Sequence, residues 1–312
     1  MTWLLWRQHR SQAAVTSIVV GLFAVAVLVT GVHMAHLYHD AVHNCPGNGA
    51  CDLVGNLFRG YGAIIDTVHL TDALPLLLGA FLGAALVARE TEHATNVLVW
   101  TQTVPRRRWL VEKIAVVVGA TLLVSALVAA LVTWWSATPN AIDGNRFQST
   151  QFDTQNVAPI AFALFAVALG IGSGCLLRRT LPALGVTVGG YAAVRLVVAV
   201  YLRPHYLKAL TASFAPGGNQ QLPAGSWTLS SNLFDPGGHL VSGKFQFPLA
   251  CISSVDRNGV ASCLGRMGYH TVVTYQPASR YWTFQWIESG IFVALAAALI
   301  AFAIYFTLRH DA

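Results

Sequence analysis

The sequence predicts an all-α polytopic membrane protein: six transmembrane helices with a sizeable extracellular insertion between helices 5 and 6. Three observations predict it. Of 312 residues, 55% are hydrophobic and only 10% charged, against about a quarter charged in ordinary soluble domains. The apolar residues come in long blocks, and the Lys and Arg residues gather in the short segments between some of those blocks. Four of the five cysteines form two local pairs, in the segments that the charge pattern places on the opposite side.

Six apolar blocks, near 13–34, 72–88, 110–135, 158–177, 181–202 and 285–308, are long enough to cross about 30 Å of hydrocarbon as helices. The first follows Arg7 and Arg10 as a secretory signal would. Its apolar stretch is too long for a signal core and no small-residue cleavage site follows, so it reads as an uncleaved span. Only Arg178, Arg179 and Thr180 separate blocks four and five, which predicts a tight helical hairpin.

Placing both termini in the cytoplasm puts Arg7, Arg10, Arg89, Arg106, Arg107, Arg108, Lys113, Arg178, Arg179 and Arg309 inside, ten of the nineteen bases. The much longer outer segments then hold eight, and Arg195 lies within helix 5. This is the asymmetry expected of cytoplasmic loops. It also explains the net charge of +6 without a nucleic-acid partner. Under this topology Cys45 and Cys51 fall in the first outer loop and Cys251 and Cys263 in the last, where disulfides persist. The short spacings favour Cys45–Cys51 and Cys251–Cys263. The alternative is unpaired thiols.

Aromatic side chains mark the helix ends: Trp134 and Trp135, Trp109, and Tyr281, Trp282 and Trp286 stand at the depths that amphipathic rings favour. Trp3 and Trp6 beside Arg7 and Arg10 suggest a short interfacial helix before the chain turns into the membrane. The predicted organisation is therefore 1–202 for helices 1–5, with a cytoplasmic loop at 89–109, then an extracellular subdomain at 203–284, then helix 6 and a tail at 285–312. The subdomain has Gly/Pro turns, short apolar alternations that admit some strand, and Trp227, Phe234, Phe245 and Phe247 for a modest core.

Within the spans, Gly79 and Gly83, and Gly170, Gly172 and Gly174, have the spacing of close helix–helix approach. "GHLVSGK" (238–244) imitates a phosphate-binding loop, but Phe245 stands where Ser or Thr must bind magnesium. No motif for nucleotide binding, zinc hydrolysis or serine hydrolysis survives, so any ATP-driven activity needs its ATPase on another chain.

The 89–109 loop is unusual. "ETEHATNVLVWTQTV" forms a short amphipathic segment with Val97, Leu98, Val99 and Trp100 between polar flanks. Glu90 and Glu92 fall in its first turn, where acids favour the helix dipole, and Pro105 ends it. An apolar face in a cytoplasmic loop calls for a partner to dock on. The run "GAFLGAALVARETEHATNVLVWTQTVPRRRWLVEK" resembles the ABC-2 family of ABC-transporter permeases, actinobacterial members most of all. Glu90, Thr95, Pro105, Arg107 and Lys113 sit at matching positions, while Ala94 stands where the family often has Gly. A looser resemblance extends over all six helices and into "YLRPHYLKAL".

The resemblance implies a transmembrane permease subunit of an ATP-binding cassette exporter in a bacterial plasma membrane. It would pair with a second permease, as a homodimer or with a similar chain, and bind two cytoplasmic ATPase subunits that carry the ATP and Mg²⁺. The chain itself would need no cofactor. Its coupling residues would be Glu90, Glu92, Thr95, Val97, Leu98, Trp100, Pro105 and Arg107, and its cargo an amphiphilic drug, peptide or lipid. The alternative function is a membrane sensor or immunity subunit binding a ligand in its extracellular subdomain.

Two polar features of the spans stand apart. Arg195 and Glu288 are near the same end of helices 5 and 6. They read either as a pair in an outer gate or substrate path, or as a snorkelling arginine and an interfacial acid. No paired carboxylates at membrane depth are expected. His33, His36, His39 and His43 recur along one helix face. They make a polar, pH-sensitive helix end or, with at most two of them as ligands, a metal site.

Overall fold

A computed structural model describes residues 2–44, 68, 70–84, 88, 92, 106–144, 146–217, 221–241, 248, 251 and 257–310. Among the described residues, five helices are long and apolar enough to cross a membrane, within Ser17–Asp40, Leu110–Trp135, Ala158–Leu177, Thr180–His205 and Ala278–Arg309, and Leu70–Ala84 is a shorter apolar helix. Chain contacts divide the molecule into two compact units, one of Met1–Ile142, Ser149–Val197 and Gln285–Ala312, the other of Asp143–Gln148 and Val198–Phe284.

In the first unit, α1 runs unbroken from Thr2 to Asn44, 43 residues, or about 65 Å at 1.5 Å per residue. The expected turn between an interfacial helix and the first span is not formed. No Pro or Gly lies between Trp6 and Ile18 to break the helical hydrogen bonds. The second apolar block of the sequence reading, 72–88, is described as α2, Leu70–Ala84. It is not a regular α-helix: a 3-10 turn (Leu70–Ala73), an α turn (Leu74–Leu78) and a π turn (Gly79–Ala84) follow one another. Pro75 and the two glycines are the sort of residues at which a helix changes pitch.

Next come α3 (Arg106–Trp135), α4 (Ala137–Asp143), α5 (Ser149–Thr154), α6 (Ala158–Leu177) and α7 (Thr180–Val197). The core of this unit forms around α6. Leu78, Leu110, Ile114, Ala163, Val167, Ile171 and Ala303 pack into one cluster, and 72% of the α6 span is buried against 17–28% of the other four. Those four leave residues such as Leu22, Leu123 and Leu181 exposed, as helices that are apolar all round do when lipid covers their outer faces.

The α2–α6 contact is as close as the small-residue spacing predicts. A Cβ on Gly79 would lie 2.6 Å from the Ala166 carbonyl oxygen, and one on Gly83 2.5 Å from that of Val167. The α6–α7 hairpin turns through Arg178, which adopts the left-handed conformation (φ 53°) and donates its N–H to the Gly174 carbonyl. Along the hairpin, Ser173 Oγ lies 3.0 Å from Thr187 Oγ1 and donates to the Ala183 carbonyl at 3.2 Å. Trp135 was expected at a membrane interface. It is instead 3% exposed and donates its ring N–H to Thr30 Oγ1 on α1, while Trp134 keeps an exposed face.

The second unit corrects the all-α reading, because it contains a three-stranded antiparallel sheet in the order β1-β3-β2. β1 is Leu210–Phe214, β2 Trp227–Phe234 and β3 His270–Gln276. β3 is central, with Thr211 opposite Thr274, and Trp227 opposite Gln276. Its β-branched run "HTVVT" suits a pleated, half-buried surface. Helix α8 (Arg257–Arg266) precedes it, and α9 (Tyr281–His310) begins in this unit and ends in the first.

The aromatic core of the second unit differs from the one expected. Trp227 stacks on Phe147, and Tyr281 and Phe284 meet the Phe147 ring edge-on. Phe234 instead stacks on His270, and Phe245 and Phe247 lie outside the described residues. In the turn after β2, the backbone N–H of His239 donates to Asp235 and holds its carboxyl below the usual carboxylate range.

Cys251 and Cys263 are disulfide-bonded across a sequence separation of 12. Loop-closure entropy puts such a bridge at about 3 kcal/mol. Reduction, or the double change Cys251→Ser and Cys263→Ser, should therefore speed protease cleavage in 251–270 severalfold while leaving the long helices intact, as followed by limited proteolysis and mass mapping.

Candidate functional site

Two buried carboxylates of the first unit, Asp153 and Glu288, converge on Arg195. Its Nη2 donates to Asp153 Oδ2 at 2.6 Å and its Nη1 to Glu288 Oε1 at 3.1 Å, with side-chain exposures of 11%, 7% and 0%. The three residues come from α7, α5 and α9. Beneath the guanidinium, its carbon lies 3.7 Å from the centre of the Phe162 ring on α6, with the Phe292 ring 5.8 Å away. Phe162 and Phe165 both meet Phe292 edge-to-face, and Phe165 stacks on Tyr191, one turn before Arg195. Four elements thus close on one cation.

The physical reason for the convergence is desolvation. An arginine in a membrane helix costs roughly 2.5–3.5 kcal/mol on insertion scales, which is offset when carboxylates and an aromatic face replace the lost water. This overturns the reading of a snorkelling arginine beside an interfacial acid, since Arg195 is nearly enclosed and Glu288 fully buried. Asp153, which lies outside the five candidate spans, joins Glu288 on the same guanidinium. Sequence reading missed Asp153, because it lies in a polar connection. The available signal was its place five residues before an apolar helix.

A layer of buried polar side chains accompanies the cluster. Gln285 on α9 accepts the Ala158 N–H, capping α6, and donates to the Phe152 carbonyl at the end of α5. Asn140 donates to Gln155. Thr133 Oγ1 accepts the N–H of Asn156, a residue with φ 63°. Four further buried atoms, Asn140 Oδ1, Gln151 Oε1, Tyr191 OH and Ser289 Oγ, have no hydrogen-bond partner among the described residues. Each is a place where water or a polar ligand group finds a ready partner.

Of the expected coupling residues, Glu90, Thr95, Val97, Leu98, Trp100 and Pro105 lie outside the described residues. Glu92 is described: its carboxylate accepts both the N–H and the hydroxyl of Thr180. Arg107 is in the first turn of α3. Nearby, Arg108 pairs with Glu112 at 2.8 Å, and Lys113 is buried at 5% exposure. Cys45 and Cys51 lie outside the described residues. His33, His36, His39 and His43 all fall on α1, with the His39 and His43 rings 6.1 Å apart. Among the described residues, no group of three or more side chains gathers as for a metal ion.

Long apolar helices packed around an enclosed ion-pair cluster define a multi-pass helical membrane protein. The chain belongs to the ABC-2 membrane transporter related family, whose sequence model matches residues 17–203. That stretch runs from within α1 through α7 and holds both Asp153 and Arg195. No curated protein and no solved structure matches the chain.

Proposed function

We propose that the chain is the membrane-spanning subunit of an ATP-driven exporter, bound to separate cytoplasmic ATPase subunits that carry ATP and Mg²⁺. The observation that carries this reading is membership of the ABC-2 family over residues 17–203. The chain works as a homodimer or beside a similar permease in a bacterial plasma membrane, with both termini in the cytoplasm. The segment 203–284 is then extracellular. The cytoplasmic segment 89–109 docks on the ATPase through Val97, Leu98 and Trp100, with Glu90, Glu92, Thr95, Pro105 and Arg107 shaping it.

The Arg195–Asp153–Glu288 cluster serves as a gate. It joins α5, α7 and α9 by contacts that hold in one arrangement of the helices and break in another, which is the differential interaction a two-state cycle requires. An amphiphilic cargo suits a path with apolar walls and a few unsatisfied polar atoms. Nothing in this reading asks the chain to do chemistry on its cargo.

The test is to purify the chain, by a tag on it, from the membranes of the cells that naturally make it. The ATPase should co-purify. Trp100→Ala removes an interfacial aromatic anchor, which costs about 2 kcal/mol or roughly thirtyfold in affinity, and should strip the ATPase from the complex without changing the permease's own melting. A ligand-sensing role draws instead on an open groove of about 670 Å³ in the second unit, flanked by Phe214, Arg266 and His270. Deleting the sheet segment would abolish a sensor's response while leaving the ATPase dispensable.

A further inference from the structure

The first turn of α7 has a problem its own sequence does not solve. A helix starts with N–H groups that lack an intrahelical acceptor, and a Ser, Thr, Asp or Asn just before it normally supplies one. Before Thr180 stand Arg178 and Arg179, which are donors only. The acceptor comes from 88 residues away: Glu92 Oε2 takes the Thr180 N–H at 3.0 Å and the Thr180 hydroxyl at 2.6 Å. A carboxylate in that position is also favoured by the helix dipole.

What Glu92 grips is a rod with a defined far end. From Thr180 to Arg195, α7 rises about 22 Å. Along its length it is fastened to α6 through Ser173, Thr187 and the Ala183 carbonyl. At the far end, Arg195 holds Asp153 and Glu288. Glu92 itself belongs to the segment between α2 and α3.

We infer that Glu92 and Thr180 form the joint through which movement of the segment between α2 and α3 is passed along α7 to the Arg195 cluster. This rests on the transport reading, which assigns that segment to the ATPase. Both are positioning residues, and they touch neither nucleotide nor cargo. The joint is charge-assisted and two-pronged, so it transmits a pull as well as a push, as a purely apolar contact would not.

The test uses the full chain in complex with its co-purified ATPase, in lipid nanodiscs. A nitroxide is attached at Gly189→Cys on α7, where an added Cβ meets nothing within 4 Å, with the chain lacking that cysteine as the labelling background. The readouts are the ATP-dependent change in the nitroxide spectrum and the ATPase rate. Glu92→Gln and Thr180→Val should each weaken the coupling between nucleotide state and α7 by about tenfold. The double variant should be no worse than either single one, and Thr180→Ser should restore the response. As a second arm that keeps the contact closed, Glu92→Cys with Thr180→Cys, oxidised, should retain the ATP-dependent signal.

A full response in Glu92→Gln and Thr180→Val overturns the joint, as does a double variant whose loss is the product of the singles, or a cross-link that abolishes the signal. If no ATPase co-purifies with the wild-type chain, the transport reading itself fails. A wild-type complex that responds while the variants respond equally removes only the joint.

Discussion

Replacing Arg195 by leucine will cost the first unit about 3–5 kcal/mol, because it leaves two carboxylates buried without their shared cation. The side chains concerned are at most 11% exposed, so solvent screening does little to soften the loss. The Phe162 ring loses the guanidinium on its face as well, at 3.7 Å. A variant that neutralises all three positions, Arg195→Leu with Asp153→Asn and Glu288→Gln, should recover most of the stability. The expense lies in the unpaired charge, and neutral groups of similar shape avoid it. Thermal unfolding of the purified chain in detergent, followed by size-exclusion chromatography, reads both outcomes. A single variant as stable as wild type would mean that water reaches the cluster freely.

The triple variant also separates stability from work. If the cluster is a gate, a chain that melts like wild type but has no ion pairs to break and remake will fold, insert and bind its ATPase, yet lose the ATP-dependent response of α7. If the cluster only holds the helices together, the response survives.

Gly170→Leu should be comparably damaging for a different reason. A Cβ at Gly170 overlaps the Gly79 carbonyl oxygen, and comes within 2.6 Å of the Ala84 nitrogen and 2.9 Å of the Gly83 carbonyl carbon. All are backbone atoms of α2, which cannot swing aside as a side-chain tip would. The two helices must separate, and overpacking of this kind costs about 3 kcal/mol or more. The matched control is Gly185→Ala on α7, where a Cβ meets nothing within 4 Å and helix propensity predicts a gain of up to about 1 kcal/mol. A melting point lowered by Gly170→Leu and held or raised by Gly185→Ala is the expected pattern. Equal melting points would exclude close packing of α2 on α6.

Much of the architecture could be read locally. Hydropathy summed over about twenty residues locates an apolar helix, because the cost of burying the backbone in lipid is met within each segment. The five long helices therefore lie close to the predicted blocks. The Cys251–Cys263 bridge followed from short spacing in the same way, and the Gly79/Gly83 and Gly170/Gly174 spacings marked faces of close helix approach, though not that these two faces meet. Where a local signal competed with packing, the reading failed. Some strand in 203–284 was legible from its short alternations, but not that "HTVVTYQ" would be the central one of three. Trp135 turned away from the interface because Thr30 offers its ring an acceptor on α1.

The sequence by itself determined that this chain spans a membrane several times, that an ABC-2-like segment joins its second and third apolar blocks, and that some of its polar groups must lie at membrane depth. Only the tertiary structure decided which polar groups meet. Asp153, Arg195 and Glu288 stand 42 and 93 residues apart, and Glu92 and Thr180 are 88 apart. Hydropathy and periodicity are sums along the chain and carry no information about how each helix is rotated against its neighbours. Ion pairing and capping depend on that rotation alone, since a charge turned by half a helical turn faces lipid instead of its partner.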